Sequence, residues 1–154
     1  MDTLNFKPTF LGQCIIKYQV PLDIFTSINQ IYEQNYNSLA PANQQLVGKI
    51  EKEHSLFYHG EDQTKMKNHN FLPNNVTDYF MQVFNHYLKF NAIRDYNTHL
   101  NSIWVNEMKQ HEYNPTHIHR GTLYTGLSSV MILKLPSTYG KEYSAGHIEQ
   151  NGRL

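Results

Sequence analysis

Two histidines separated by one residue stand at the end of a β-prone stretch of this sequence. His117 and His119 follow an Asn-Pro turn within residues 104–119. In an extended segment, side chains two residues apart project to the same side of the backbone, so both imidazole rings can reach one cation. Neutral imidazoles bind iron, zinc, copper or nickel. The spacing therefore predicts a transition-metal site held by His117 and His119.

A second interpretation of the same spacing stays open. Two histidines on the solvent face of an edge strand would give the same H-x-H pattern without a metal. The other histidines of the first hundred residues stand alone among polar neighbours, and for them we expect exposed or locally hydrogen-bonded rings. These residues are His54, His59, His69, His86 and His99.

Composition limits the classes of protein. The chain has 154 residues, of which 40% are apolar and 17% charged, which predicts one domain over residues 1–154. Thirteen basic and thirteen acidic side chains balance, so we expect no binding of nucleic acid or of anionic lipid. No apolar stretch has membrane-spanning length and no secretory signal begins the chain, so we expect no membrane association.

The single cysteine, Cys14, excludes a disulfide framework within the chain and fits a reducing, cytoplasmic location. It lies in an apolar run, which favours a small buried hydrophobic side chain over a reactive nucleophile.

The elements that must position the two histidines can be predicted from periodicity. A strand is expected over residues 9–20, ending at Pro21, and helices over residues 23–38, 43–53 and 75–95. Residues 57–73 are polar and predict an irregular loop, with one short strand at residues 55–58. Later strands are expected at Ser102–Met108, Tyr113–His119 and Leu127–Leu135, the last closed by Pro136.

Helices thus come first and strands later, which is typical of an α+β fold. Residues 1–98 form a helix-rich supporting part, and residues 99–154 form strands of an antiparallel sheet that carries the site. The helices should cover the outer face of that sheet.

Beyond the spacing, the order of three segments resembles a known family. W-V-N, followed by E-Y-N-P-T-H-I-H and then S-S-V-M-I-L-K-L-P, resembles a branch of the 2-oxoglutarate/iron(II) dioxygenases often encoded by bacteriophages. Ser129 replaces a glycine of that pattern, and Met131 and Ile132 replace an aromatic pair. The matching residues lie in about the last third of the chain: Trp104, Val105, Asn106, Tyr113, Asn114, Pro115, His117, His119, Ser128, Val130, Lys134 and Pro136.

The resemblance implies a double-stranded β-helix of jelly-roll or cupin-like form, with iron(II) at its open end and 2-oxoglutarate chelating the metal. The implied reaction uses oxygen to hydroxylate a C–H bond of a peptidyl side chain or small molecule. His117 would be the first ligand, and His119 would stand where most relatives carry a carboxylate, leaving the site more positive and favouring weaker iron(II) retention or another metal. Asn106 and Tyr113 would contact the cosubstrate, with a buried structural hydrogen bond as the alternative for both.

The end of the chain departs from the family pattern. Members carry a second histidine in a later strand and then an arginine or lysine that pairs with the distal carboxylate of 2-oxoglutarate. His147 and Arg153 have suitable side chains but follow His119 too closely to close a barrel. We expect either the front part of a longer protein or a shortened form without catalysis. Unpaired sheet edges of a half barrel would be covered by a missing segment or by a second copy in a homo-oligomer.

Two alternative functions stay open. A cupin-like metal-binding protein with different chemistry would carry a glutamate after its H-x-H and a glycine before it, whereas this chain has Leu123, Tyr124 and His111 at those places. A non-catalytic phage structural or assembly protein that retains the fold is the other alternative.

Overall fold

The computed structural model of this chain describes residues 4–11, 13–42, 48–60, 63, 66–117 and 126–136. Over these residues the fold is mixed α+β, with two helices and antiparallel strands, as predicted. The elements are β1 (Phe6–Leu11), β2 (Gln13–Tyr18), α1 (Leu22–Asn35), β3 (Ala40–Pro41), β4 (Lys52–Tyr58), β5 (His69–Asn70), α2 (Asn74–Phe90) and β6 (Ser102–Glu107). Within these ranges, no helix combines the length and the apolar character needed to cross a membrane.

The two long helices follow their predicted positions because each carries one apolar stripe. Ile24 and Ile28 of α1 lie one turn apart and are both buried, and Val76 and Val83 of α2 are buried on its inner side. Proline stands immediately before each helix, and α2 ends where the side chain of Asn91 donates to the carbonyl of Tyr87. Both helices were predicted with ends within a few residues of those observed.

The amino-terminal strand prediction is corrected by the structure. Residues 9–20 do not form one strand; β1 and β2 pair antiparallel as a two-stranded sheet, with Phe6 opposite Tyr18. Pro8 lies within β1, where a proline is tolerated because β1, among the residues that the structure describes, pairs with β2 alone. The hydroxyl of Tyr87 on α2 donates to the carbonyl of Cys14 at 2.8 Å, which fastens this hairpin to the helix.

A four-stranded sheet has β4 at its centre. β6 pairs with β4 along one side, while β3 and β5 pair with successive parts of β4 along the other side, and every pairing is antiparallel. The register with β6 shifts between Ser55 and Phe57, so the strand carries a bulge at Leu56. The helices cover one face of this sheet, because the core joins α1 and α2 to Leu56, which is fully buried.

Three further sequence predictions are wrong in the described residues. A helix over residues 43–53 is replaced, from Lys52 onwards, by strand β4, and residues 43–47 lie outside the described part. Residues 114–117 and 127–135 carry no strand, although their residue types favour one. Gly48 has a φ of 122°, which no helix contains, so the predicted helix cannot pass through it. Pairing with β6 then makes the following residues a strand despite their apolar spacing.

Candidate functional site

Strand β6 places the predicted residue Asn106 on the sheet face opposite the helices. Asn106 lies directly across from Glu53, and Trp104 lies across from Ser55, in the antiparallel register of β6 and β4. Side chains that face each other across such a pair lie on the same side of the sheet. The four residues therefore share one face, which we call the polar face and define as Glu53, Ser55, Trp104 and Asn106.

Two oxygen atoms of the polar face are buried without a partner. Among the side chains of the described residues, the Oε1 atom of Glu53 and the Oδ1 atom of Asn106 are inaccessible to solvent and form no hydrogen bond. Glu53 is only 3% exposed. Burying a polar oxygen without a donor costs about 1–3 kcal/mol, and more for a charged group. In a native protein each such atom calls for an explanation, such as a bound water, an ion, a ligand or a functional role.

The electrostatic setting of Glu53 is anionic. Burial raises the pKa of its carboxyl group, and the nearby carboxylate of Glu112 raises that pKa further. Lys52, the preceding residue of β4, points to the helix-covered face, because successive strand residues alternate between faces. There its ammonium group donates to the hydroxyl of Tyr36 and lies 4.0 Å from the carboxylate of Glu107. Glu53 therefore has no compensating cation from its own strand neighbour.

Ser55, a member of the polar face, forms a hydrogen bond with His69 of β5. The Nε2 atom of His69 lies 2.9 Å from the Oγ atom of Ser55, and its Nδ1 atom lies 2.9 Å from the carbonyl oxygen of Lys67. Because a carbonyl only accepts, Nδ1 carries the proton, and in the neutral ring the serine hydroxyl donates to Nε2. Ser55 is 2% exposed, so this pair fastens β5 to β4 and is not an accessible nucleophile.

His117, the first predicted metal ligand, is exposed and has a defined ring orientation. Its Nδ1 atom lies 2.7 Å from the carbonyl oxygen of Pro115, which fixes the proton on Nδ1. The lone pair of the neutral ring is then on Nε2, and metal-binding histidines commonly have this arrangement. His119 lies outside the described residues, so the convergence of the two rings stays a prediction.

Tyr113 does not join Asn106. Its side chain is 57% exposed, and its role in the structure is carried by its backbone, which forms a bridge to Lys49 through two hydrogen bonds of 2.9 and 3.1 Å. Gly48 packs against this bridge: a Cβ atom there would lie 2.6 Å from the Tyr113 carbonyl oxygen. The bridge holds the segment before His117 beside the residues that lead into β4.

A separate hydrogen-bonded cluster links α1 to the helix-covered face of the sheet. The Tyr32 hydroxyl donates to the Oε1 atom of Glu107 at 2.8 Å and lies 3.0 Å from the Nδ1 atom of His54. Because that hydroxyl has one proton, His54 donates to it through Nδ1. Burial and the Glu107 carboxylate raise the pKa of Tyr32 well above its ordinary value. The cluster stabilises the helix against the sheet.

Sequence reasoning named Asn106 and His117 as candidates but did not name Glu53 or Ser55. The segment Lys-Glu-His-Ser-Leu has an alternation that fits a strand, yet the spacing of the apolar residues before it favoured a helix. Within the ranges that the structure covers, no group of three or more histidine, cysteine, aspartate or glutamate side chains could hold a metal ion.

Comparison of the chain with protein-family models, with curated proteins and with solved structures found no match in any of the three.

Proposed function

We propose that this chain is a 2-oxoglutarate- and iron(II)-dependent oxygenase of double-stranded β-helix type that hydroxylates a peptidyl side chain or small molecule. The observation that carries the proposal is the polar face, where Glu53 and Ser55 are buried and Asn106 has a buried amide oxygen. The second face of an antiparallel sheet is commonly polar and solvated, whereas here Glu53 and Ser55 are polar and buried. Buried polar groups on a sheet next to the W-V-N strand support a ligand site at this position.

Iron(II) fits the donor that the described residues offer. His117 is exposed, its Nδ1 atom is bonded to the Pro115 carbonyl, and imidazole is a suitable ligand type for iron. In the proposal, His117 and His119 hold the ion. Iron(II) and 2-oxoglutarate would together supply the electrons that activate dioxygen, a chemistry that protein side chains lack.

The side chain of Asn106 can bind 2-oxoglutarate through its amide nitrogen but not through its amide oxygen. The amide nitrogen Nδ2 can donate to a carboxylate of the cosubstrate, whereas the buried oxygen Oδ1 can only accept. A dianion has no proton to give to Oδ1 or to the Glu53 carboxylate. In the proposal, Asn106 orients the cosubstrate through Nδ2, and the polar face excludes water from around it.

An anaerobic titration tests the proposal. Iron(II) and 2-oxoglutarate, added together to the purified chain, should produce a weak visible charge-transfer band. His117→Ala and His119→Ala should each abolish the band. His111→Asn is the matched control, because His111 has a φ of 67° that asparagine tolerates, and it should keep the band. A wild-type chain without the band, or a His117→Ala variant that retains it, would overturn the proposal and leave a non-catalytic role.

A further inference from the structure

The buried polar-face atoms without a hydrogen bond are all acceptors. The two buried atoms without partners, Glu53 Oε1 and Asn106 Oδ1, are both oxygens, and they lie on side chains that face each other across β4 and β6. Whatever satisfies them must bring protons. A cation would bring protons and would also compensate the ionised Glu53 carboxylate, which is buried near Glu112 and away from the ammonium group of Lys52.

An aromatic residue adjoins the two acceptors on the same face. Trp104 lies two residues before Asn106 on β6 and directly opposite Ser55. Indole is the best aromatic partner for a cation, and a ring beside a buried carboxylate favours organic cations over small hydrated ones. A carboxylate, an amide oxygen and an indole on one face are the three groups that recognise an ammonium or guanidinium ion.

We propose that the polar face binds an N–H-bearing organic cation, either ammonium or guanidinium, which donates hydrogen bonds to both Glu53 and Asn106 and packs near Trp104. The cation belongs to the molecule that the protein acts on. Its role as substrate rests on the oxygenase proposal, whereas the binding itself does not. A basic side chain of a peptide and a free small amine share this chemistry.

Other ligand classes fit the polar face less well. Mg²⁺ takes six oxygen ligands and Ca²⁺ six to eight, whereas this face supplies two unpartnered oxygens. 2-Oxoglutarate is a dianion with no proton to donate to either unpartnered oxygen, so in the oxygenase proposal it contacts only the Nδ2 atom of Asn106. A neutral alcohol could donate one hydrogen bond but would leave the buried charge uncompensated.

Binding at this site can be followed by tryptophan fluorescence, because Trp104 is the only tryptophan of the chain. Its fluorescence should change saturably on titration with n-butylammonium or n-butylguanidinium, without iron or 2-oxoglutarate present. n-Butanol and Mg²⁺ alone should give no saturable change. A short peptide with one lysine, compared with its ε-acetyl-lysine form, separates a peptidyl source from a free amine.

Variants locate the binding. Glu53→Gln is nearly isosteric and should weaken the binding of n-butylammonium about tenfold or more, since it removes a charge-assisted hydrogen bond. Glu51→Gln, two residues earlier and exposed, is the matched control and should bind like the wild type. Asn106→Leu removes the second acceptor and should also weaken binding.

Unchanged binding in Glu53→Gln, or equal responses to n-butylammonium and n-butanol, would overturn the inference. Its failure is distinguishable from that of the oxygenase proposal, because the cation titrations contain no metal. Cation binding without a charge-transfer band would leave the site standing and remove the oxygenase function. A charge-transfer band without cation binding would support the oxygenase function and overturn the cation site.

Discussion

Glu53 and Asn106 face each other directly across strands β4 and β6, and each has one buried side-chain oxygen without a hydrogen bond. Two acceptors in this relationship cannot satisfy each other while the carboxyl group of Glu53 is ionised. Protonation of Glu53 would give the pair one donor, and a bound cation would give it several. The stability of the fold, the protonation of Glu53 and the binding of a ligand should therefore depend on one another at this pair of residues.

The first prediction concerns stability and pH. Burial raises the pKa of Glu53 above its ordinary 4.5, so the folded chain holds this proton more tightly than the unfolded chain does. The free energy of unfolding should then fall as pH rises from 4.5 through the folded pKa. Glu53→Gln cannot ionise, and near neutral pH it should be more stable than the wild type by about 1–3 kcal/mol. Urea unfolding measured at several pH values checks this.

The gain from Glu53→Gln should disappear below pH 4.5, where both proteins carry a neutral side chain. Glu51→Gln serves as control: Glu51 is exposed and pairs with Lys109 at 2.8 Å, an exposed ion pair whose loss should change stability little. Equal stability of Glu53→Gln and wild type at neutral pH would contradict the uncompensated burial of this carboxylate.

The second prediction concerns the link between α1 and the sheet. Tyr32→Phe removes the hydroxyl that joins Glu107 to His54, leaving two half-buried polar groups without this partner. We expect a loss of about 1–3 kcal/mol in the free energy of unfolding. Tyr36→Phe removes a single bond to the flexible ammonium of Lys52 and should cost less. Thermal unfolding of the two variants compares them, and equal losses would mean that the Tyr32 hydroxyl is not the main link.

The helices could be predicted from sequence, whereas the central strand could not. Buried residues of α2 recur at helical spacing, for example Val76 and Val83, so local periodicity was enough. β4 depends on partners that lie far along the chain, since Lys52 pairs with Glu107. Such pairing is invisible to any short window, and the apolar spacing before β4 fits a helix equally well.

The residues of the candidate site also differ in whether the sequence could predict them. Asn106 could be predicted because it belongs to a motif read within one segment. Glu53 could not, because its importance comes from the register that sets it opposite Asn106 and from burial on that face. Tyr113 has a side chain of the expected type, yet the structure uses its backbone and leaves its ring exposed.

The third prediction contrasts two tyrosines of α2. The hydroxyl of Tyr79 is buried and has no hydrogen bond among the described residues, and burial raises the pKa of this phenol. Tyr79→Phe should therefore leave the free energy of unfolding unchanged or raise it by up to about 1 kcal/mol. Tyr87→Phe loses a 2.8 Å bond to the Cys14 carbonyl and should lower it by about 1 kcal/mol. Chemical unfolding of both variants is the measurement, and a marked loss in Tyr79→Phe would reveal a partner for its hydroxyl.

The last prediction concerns the segment that precedes His117. Gly48 has a φ of 122°, and a Cβ atom there would lie 2.6 Å from the Tyr113 carbonyl oxygen, which accepts a hydrogen bond from the Lys49 amide. Gly48→Ala should therefore strain the backbone, break this bridge and cost about 1–3 kcal/mol in stability.

Gly126 supplies the matched control, because an added Cβ there meets nothing within 4 Å. Gly126→Ala should leave stability within about 0.5 kcal/mol of the wild type. Hydrogen exchange of the Lys49 and Tyr113 amides separates the two effects: both should exchange faster in Gly48→Ala and at the wild-type rate in Gly126→Ala. If the oxygenase proposal holds, Gly48→Ala should also weaken the iron(II) charge-transfer band, because the bridge no longer fixes the segment that carries His117.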